Sequence, residues 1–189
     1  AAVGHRNPKV VQAAHNQLDI LIHAMGDAFA DPTRIELLDL LQKKTGFERG
    51  ILGCSGSDSV EAALKTARIA TGRTKILAFG RSYHGLAFGS LPATNYKTES
   101  FKAPFQSWLG THVEHCEFGG KLPESLSDFA GVIVEPIQGR GGIRVAPPHW
   151  LRDLIDLANR DGAMVIFDEI YTLSKCGFCA SKNKKNTQK

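Results

Sequence analysis

No run of about 18 consecutive apolar residues occurs in this chain, so no segment reads as a membrane-spanning helix. The opening residues, Ala1-Ala2-Val3-Gly4-His5, lack the charged-then-apolar layout of a signal peptide, and a cytoplasmic location is the expectation. Cysteine is scarce. Cys54, Cys116, Cys176 and Cys179 are too few and too scattered for the disulfide framework of a small secreted domain, which suits a reducing compartment. Cys176 and Cys179 have the spacing of a zinc ribbon or redox pair, but a structural zinc needs four ligands and no second pair lies nearby. His112, His115 and Cys116 are no better placed, because the two histidines, three apart on an expected strand, point to opposite faces. No metal site is expected. An excess of charge is missing too. The formal +4 comes from Lys175, Lys182, Lys184, Lys185 and Lys189; without those five, 18 of the 23 basic residues remain against 19 acidic ones. The body is nearly neutral, the tail reads as solvated and disordered, and neither nucleic acid nor membrane is an expected partner.

What is present is a chain of 189 residues, 42% apolar and 22% charged, enough for one globular core. Asn7-Pro8 and Asp31-Pro32 each place a capping side chain before a proline at the first helical position. Apolar residues at helical spacing follow both, predicting helices over 8–24 and from 32 to a stop at Gly46. Beyond them, short apolar runs alternate with helical patterns. Strands are expected at 50–54, 75–79, 111–115, 132–135 and 163–168, with helices at 57–71 and 148–159. Gly131-Val132-Ile133-Val134 and Ala163-Met164-Val165-Ile166-Phe167 are apolar on both faces, as in strands covered on both sides. The fold class is therefore α/β, a mostly parallel sheet with flanking helices, and sites are expected at the strands' carboxyl ends. The stretch 91–110, holding Pro92 and Pro104, reads as an irregular excursion.

Four elements stand at such ends. Ser55-Gly56-Ser57 opens onto the helical pattern of Val60, Ala63, Leu64 and Ala67. Unpaired amides, the helix dipole and two hydroxyls there suit a phosphate; taken alone, an ordinary helix cap, with Asp58 and Glu61 as a capping-box-like pair, accounts for them more simply. Tyr83-His84-Gly85 follows the strand ending at Phe79: the tyrosine can stack on a flat ring or pack in a surface turn, and the histidine can be catalytic or structural. Glu135 ends a buried strand before the glycine-rich Gly139-Arg140-Gly141-Gly142, where a carboxylate needs a partner, water or local backbone amides. Asp168 stands where an apolar strand emerges and can hold a cation, a metal or a helix start.

In this order, Ser55-Gly56-Ser57-Asp58-Ser59-Val60-Glu61-Ala62-Ala63-Leu64-Lys65, Tyr83-His84-Gly85, Glu135-Pro136-Ile137-Gln138-Gly139 and Phe167-Asp168-Glu169 resemble the motif series of the class III, fold-type I aminotransferases. Gly4-His5-Arg6-Asn7-Pro8 is similar to that family's approach to its large domain, and the resemblance extends to about Thr172. It implies a large domain of the pyridoxal 5'-phosphate (PLP) dependent transferase type, with 1–46 leading into it, 47–172 forming part of it and 173–189 a divergent basic tail. It also implies that Ser55, Gly56 and Ser57 hold the cofactor phosphate, that Tyr83 stacks on the pyridine with His84 beside it, that Glu135 supports that network and that Asp168 pairs with the ring nitrogen. An amino donor, a keto acid acceptor and a homodimer go with the family. The family's Schiff-base lysine lies beyond the strand ending at Asp168, and none of the five tail lysines has its context, so no catalytic residue is expected here and the chain reads as an inactive fragment. Tyr171 stands where many relatives place glutamine, and Arg140 where relatives using 2-oxoglutarate commonly place glutamate. Two readings compete: a dehydrogenase- or methyltransferase-type nucleotide binder, against which the G-x-G-x-x-G order is missing, and a non-catalytic module taking a phosphorylated ligand or a partner chain at a sheet edge.

Overall fold

A computed structural model describes residues 3–26 and 28–173. The tail lysines, Cys176 and Cys179 lie outside the described residues. The chain divides into two compact units, 1–50 and 51–189.

The first unit carries helices α1 (Pro8–Ile20) and α2 (Pro32–Thr45). Asn7 caps α1 by accepting the Lys9 N–H, and Asp31 caps α2 by accepting those of Thr33 and Arg34. Gly46, in the left-handed region with φ 72°, ends α2 as the sequence predicts. Within the unit, the Thr33 hydroxyl donates to Gln17 Oε1 at 2.9 Å. Helix α1 stops earlier than the expected 24. The Gln17 side chain donates to the Leu21 carbonyl at 2.8 Å, taking the acceptor that a further turn would use, and Leu21 is already extended.

In the second unit, α3 (Gly56–Thr71) precedes β1 (Lys75–Phe79), β2 (Val113–Cys116), β3 (Phe129–Val134) and β6 (Met164–Phe167). They form one parallel sheet in the order β2-β1-β3-β6. A short antiparallel pair, β4 (Ile137–Gln138) and β5 (Arg144–Val145), brackets the glycine-rich loop, and α5 (Pro148–Asp161) leads into β6. The excursion after β1 holds two 3-10 turns and one four-residue helix, α4 (Thr98–Phe101). One segment departs from expectation: 50–54 is not a strand. Its backbone has no neighbouring strand among the described residues, Ile51 is 77% exposed, and a strand without a ladder cannot persist.

Side-chain alternation along the strands explains the two faces of the sheet. Leu77, Phe79, Val132 and Val134 pack with Trp150, Leu154 and Ala158 of α5, while Ile76, Ala78 and Ile133 pack with Val60, Leu64 and Ala67 of α3. Every residue of β3 is buried, as its continuous apolar run predicts. At the amino ends of the strands, one nitrogen of Arg73 donates to the carbonyls of Phe129, at 3.1 Å, and Asp161, at 2.9 Å, tying β3 to the end of α5. No helix among the described residues is long and apolar enough to cross a membrane.

Candidate functional site

The segments that leave the carboxyl ends of β1 and β6 and the start of α3 converge on one cavity of about 220 Å³, lined by Ser55, Gly56, Ser57, Tyr83, His84, Gly85, Asp168, Ile170 and Tyr171. One wall is the helix start. The Ser55 hydroxyl caps it by accepting the Asp58 N–H at 3.2 Å, which leaves the amides of Gly56 and Ser57 with no carbonyl one turn back to pair with. Asp58 therefore acts as a cap partner. Glu61, the other acid at this end, reaches away instead, accepting the Gly89 N–H at 2.9 Å. A Cβ on Gly56 would come within 2.6 Å of the Ile170 side chain, so the absence of a side chain lets Ile170 close against the helix start.

The loop after β1 is fixed to the excursion that follows it. The Ser82 hydroxyl donates to the Ala93 carbonyl at 2.8 Å, the His84 N–H donates to the Thr94 hydroxyl at 2.9 Å, and that hydroxyl donates to the Gly85 carbonyl at 2.8 Å. Gly85 has φ 112°, and a Cβ there would sit 2.1 Å from the Ser57 hydroxyl oxygen and 2.8 Å from that of Ser90. Two independent reasons, backbone conformation and space, thus demand glycine. The Ser57 hydroxyl itself accepts the Leu86 N–H at 3.2 Å, coupling helix start to loop.

Beneath the loop lies a buried polar pair. His84 Nδ1 is 2.8 Å from Asp168 Oδ2, with side chains 0% and 4% exposed. Oδ1 of Asp168 accepts the Ile170 N–H at 3.2 Å, and the Asp168 N–H donates to the Val134 carbonyl, extending the β3–β6 ladder by one step. The aspartate is fixed at both oxygens and at its backbone. His84 Nε2 is buried with no hydrogen-bond partner among the described residues. Glu135 does not line the cavity. It lies behind it, buried, and Oε2 accepts the Tyr83 N–H at 3.0 Å, orienting the tyrosine from the rear. Burial pushes the Glu135 carboxyl above its ordinary range, against the opposing effects of His84 and of that amide.

Six of the seven residues singled out from sequence share the cavity, and the seventh holds one of those six. Sequence reasoning did not place Gly85 and Ile170 on its wall, nor foresee that Arg140, which does not line the cavity, would set its guanidinium carbon 4.3 Å from the centre of the Tyr83 ring. Tyr83 also meets Tyr96 and Phe101 edge-on. No signal in a linear pattern reports such contacts between loops. Among the described residues no cluster of three or more potential ligands could hold a metal ion.

The family model described as aminotransferase class-III matches residues 1–184. Among curated relatives, the acetylornithine aminotransferase of Methanosarcina acetivorans is 35% identical over 173 residues, covering 90% of this chain and 43% of its own length. The LysW-aminoadipate semialdehyde/glutamate semialdehyde transaminase of Sulfolobus acidocaldarius is 39% identical over 176 residues, covering 91% and 44%. The chain therefore spans less than half the length of these relatives. Among solved structures, the ornithine aminotransferase of Toxoplasma gondii ME49 superposes with a TM-score of 0.82 at 24% identity, over 90% of this chain and 42% of that one. An amine transaminase from an uncultivated Pseudomonas species, solved with PLP bound, gives 0.75 at 27% identity, over 89% and 45%. The sheet-and-helix architecture is that of these neighbours.

Proposed function

The chain belongs to the class-III aminotransferase family, and we propose on that premise that it forms the cofactor-binding part of a PLP-dependent transaminase. The observation carrying this reading is the convergence of three segments far apart in sequence on one cavity that has free helix-terminal amides at one wall and a fixed, buried carboxylate at another.

The residues present fit the cofactor. An anionic ester finds the unpaired amides of Gly56 and Ser57 and the dipole of α3. A flat ring finds Tyr83, and a ring nitrogen finds Asp168. When bound, PLP supplies an electron-withdrawing ring and a carbonyl carbon able to carry an amino group from a donor to an acceptor. The chain's part is to hold and orient. Asp168, anchored by His84 and by the Ile170 N–H, keeps a proton on the ring nitrogen; His84 keeps the aspartate from turning away. Tyr83, held from behind by Glu135, would cover the ring, and Ile170 and Tyr171 stand at the wall beside it.

In the whole protein the donor is an amine or amino acid and the acceptor a keto acid, a reading favoured by relatives named for acetylornithine and for aminoadipate and glutamate semialdehydes. We assign that protein to a homodimer in the cytoplasm, which sedimentation and cell fractionation of the full-length protein would check. The direct test is titration of the purified chain with PLP, NAD and S-adenosylmethionine, read by fluorescence. Selective PLP binding is expected. No lysine is among the described residues that line the cavity, so borohydride is expected to trap no adduct on them. NAD binding without PLP binding would replace the reading with a nucleotide-dependent one, and binding of none of the three would leave a non-catalytic module that takes a phosphorylated ligand or a partner chain. Asp168→Ala is expected to weaken PLP binding by about tenfold or more, the loss of a charge-assisted hydrogen bond, while Asp156→Ala on α5 leaves it unchanged.

A further inference from the structure

The rim of the cavity carries a cation that the cofactor reading does not use. Arg140 is exposed, and its guanidinium lies over the face of Tyr83 at 4.3 Å, while the Tyr171 phenol beside it, and then Tyr83, hold it more firmly protonated than usual. Both aromatic residues line the cavity. Most exposed arginines sample many rotamers. This one lies over a ring, which narrows the positions its planar fork samples, so less freedom is lost when it grips a ligand. Among the described residues no carboxylate lies within 4.0 Å of it. A second cation continues the pattern: Lys97 Nζ lies over the Tyr96 ring at 5.5 Å, and Tyr96 meets Tyr83 with ring centres 6.5 Å apart. It too has no carboxylate partner among the described residues.

The cavity thus offers anions two distinct attractions, the start of α3 and the guanidinium on Tyr83. A cofactor with one phosphate ester fills only the first. We propose that Arg140 is a specificity-determining residue that grips a carboxylate of the substrate, selecting donors or acceptors that bear one over neutral amines and ketones; this rests on the PLP reading above. Planar pairing of guanidinium with carboxylate supplies two parallel hydrogen bonds, and the Tyr83 ring beside the guanidinium restrains where they form. Lys97, a point charge farther along the same aromatic cluster, adds attraction without geometry.

The test loads the purified chain with PLP, followed by its absorbance, and then titrates it calorimetrically with glutarate, a dicarboxylate without a reacting amine or carbonyl, and with uncharged glutaramide. Glutarate is expected to bind and glutaramide not to. Arg140→Gln should weaken glutarate by about tenfold or more with PLP affinity and melting temperature unchanged, and Arg140→Lys, which keeps the charge and loses the fork, should fall between. Should Arg140→Gln melt low, Arg140→Lys alone carries the comparison. Failure of the PLP-loaded parent to bind glutarate, or equal affinity in parent and variants, overturns the assignment. A fall in PLP affinity with glutarate unchanged also overturns it, placing the guanidinium on the cofactor's phosphate. A parent chain that binds no PLP overturns the cofactor reading instead; glutarate titration of the PLP-free parent and variants then still decides the role of Arg140.

Discussion

Helix α2 has a side-chain cap from Asp31, a proline in its first turn and Gly46 at its end, yet buries no residue. Helix α5 begins at Pro148, after Pro147, with no side-chain cap, yet buries Trp150, Leu154 and Ala158. Capping chemistry decides where a helix starts and stops, and it acts within a few residues. Burial decides how much a helix contributes to stability, and it requires an apolar surface to pack on; in the second unit the sheet provides that surface. The same split runs through the whole chain. The described residues before 51 bury no side chain and hold their helix ends by hydrogen bonds, whereas 51–173 hold a core whose polar interior is the candidate site.

The contrast is tested first where its effect is greatest. Leu154→Ala, at a fully buried side chain, is expected to cost about 2–5 kcal/mol in urea unfolding followed by tryptophan fluorescence, whereas Leu37→Ala on α2, 43% exposed, should cost well under about 1 kcal/mol. Equal costs would break the comparison. Next comes Gly85→Ala, which meets both a strained backbone and the Ser57 hydroxyl; a loss of about 1–3 kcal/mol and weakened PLP binding are expected by melting and titration.

A smaller effect is pH-dependent. Burial first, then the charges of Lys102 and His84, lower the His115 imidazole from 6.5 to about 4, against a hydrogen bond to the Ala93 carbonyl. The unfolded chain therefore takes up this proton before the folded chain does. The stability from neutral His115 is whole above about 6.5 and is lost as pH falls toward about 4. Partial exposure to water limits that loss to on the order of 1–2 kcal/mol. His115→Gln should flatten this part of the stability–pH curve, and an unchanged slope would assign it to other groups. The smallest effect belongs to the first unit: Asp31→Ala should cost about 1 kcal/mol, seen as reduced helical circular dichroism with the melting of the second unit unaltered.

The line between what the sequence revealed and what it hid follows the same distinction. Asn7, Asp31, Gly46 and Ser55 announced helix ends because caps are local chemistry. The run at 131–134 announced a buried strand because residues apolar on both faces need cover on both, and β3 is buried throughout; the like run at 163–167 forms β6 but is only partly covered, with Met164 43% exposed. The run at 50–54 carried the same kind of signal and forms no strand, since pairing depends on a neighbour that no local pattern specifies. The site divided likewise. Tyr83, His84 and Asp168 were legible as motifs at strand ends, and Ser57 at a helix start. That His84 would bond Asp168 across 84 positions, that Glu135 would hold Tyr83 from behind and that Arg140 would lie on its ring depended on how three loops meet. Tyr171, noted in the sequence only as a departure from relatives, is a wall of the cavity and a neighbour of Arg140.

Arg73 ties β3 to α5 at the amino ends of the strands, and the candidate site is at their carboxyl ends, separated by the length of a five-residue strand, roughly 16 Å. Disturbances so far apart add rather than interact. An Arg73→Ala chain will therefore melt lower but gain the same increment in melting temperature from PLP as its parent, which makes this position a dial for robustness that leaves recognition untouched.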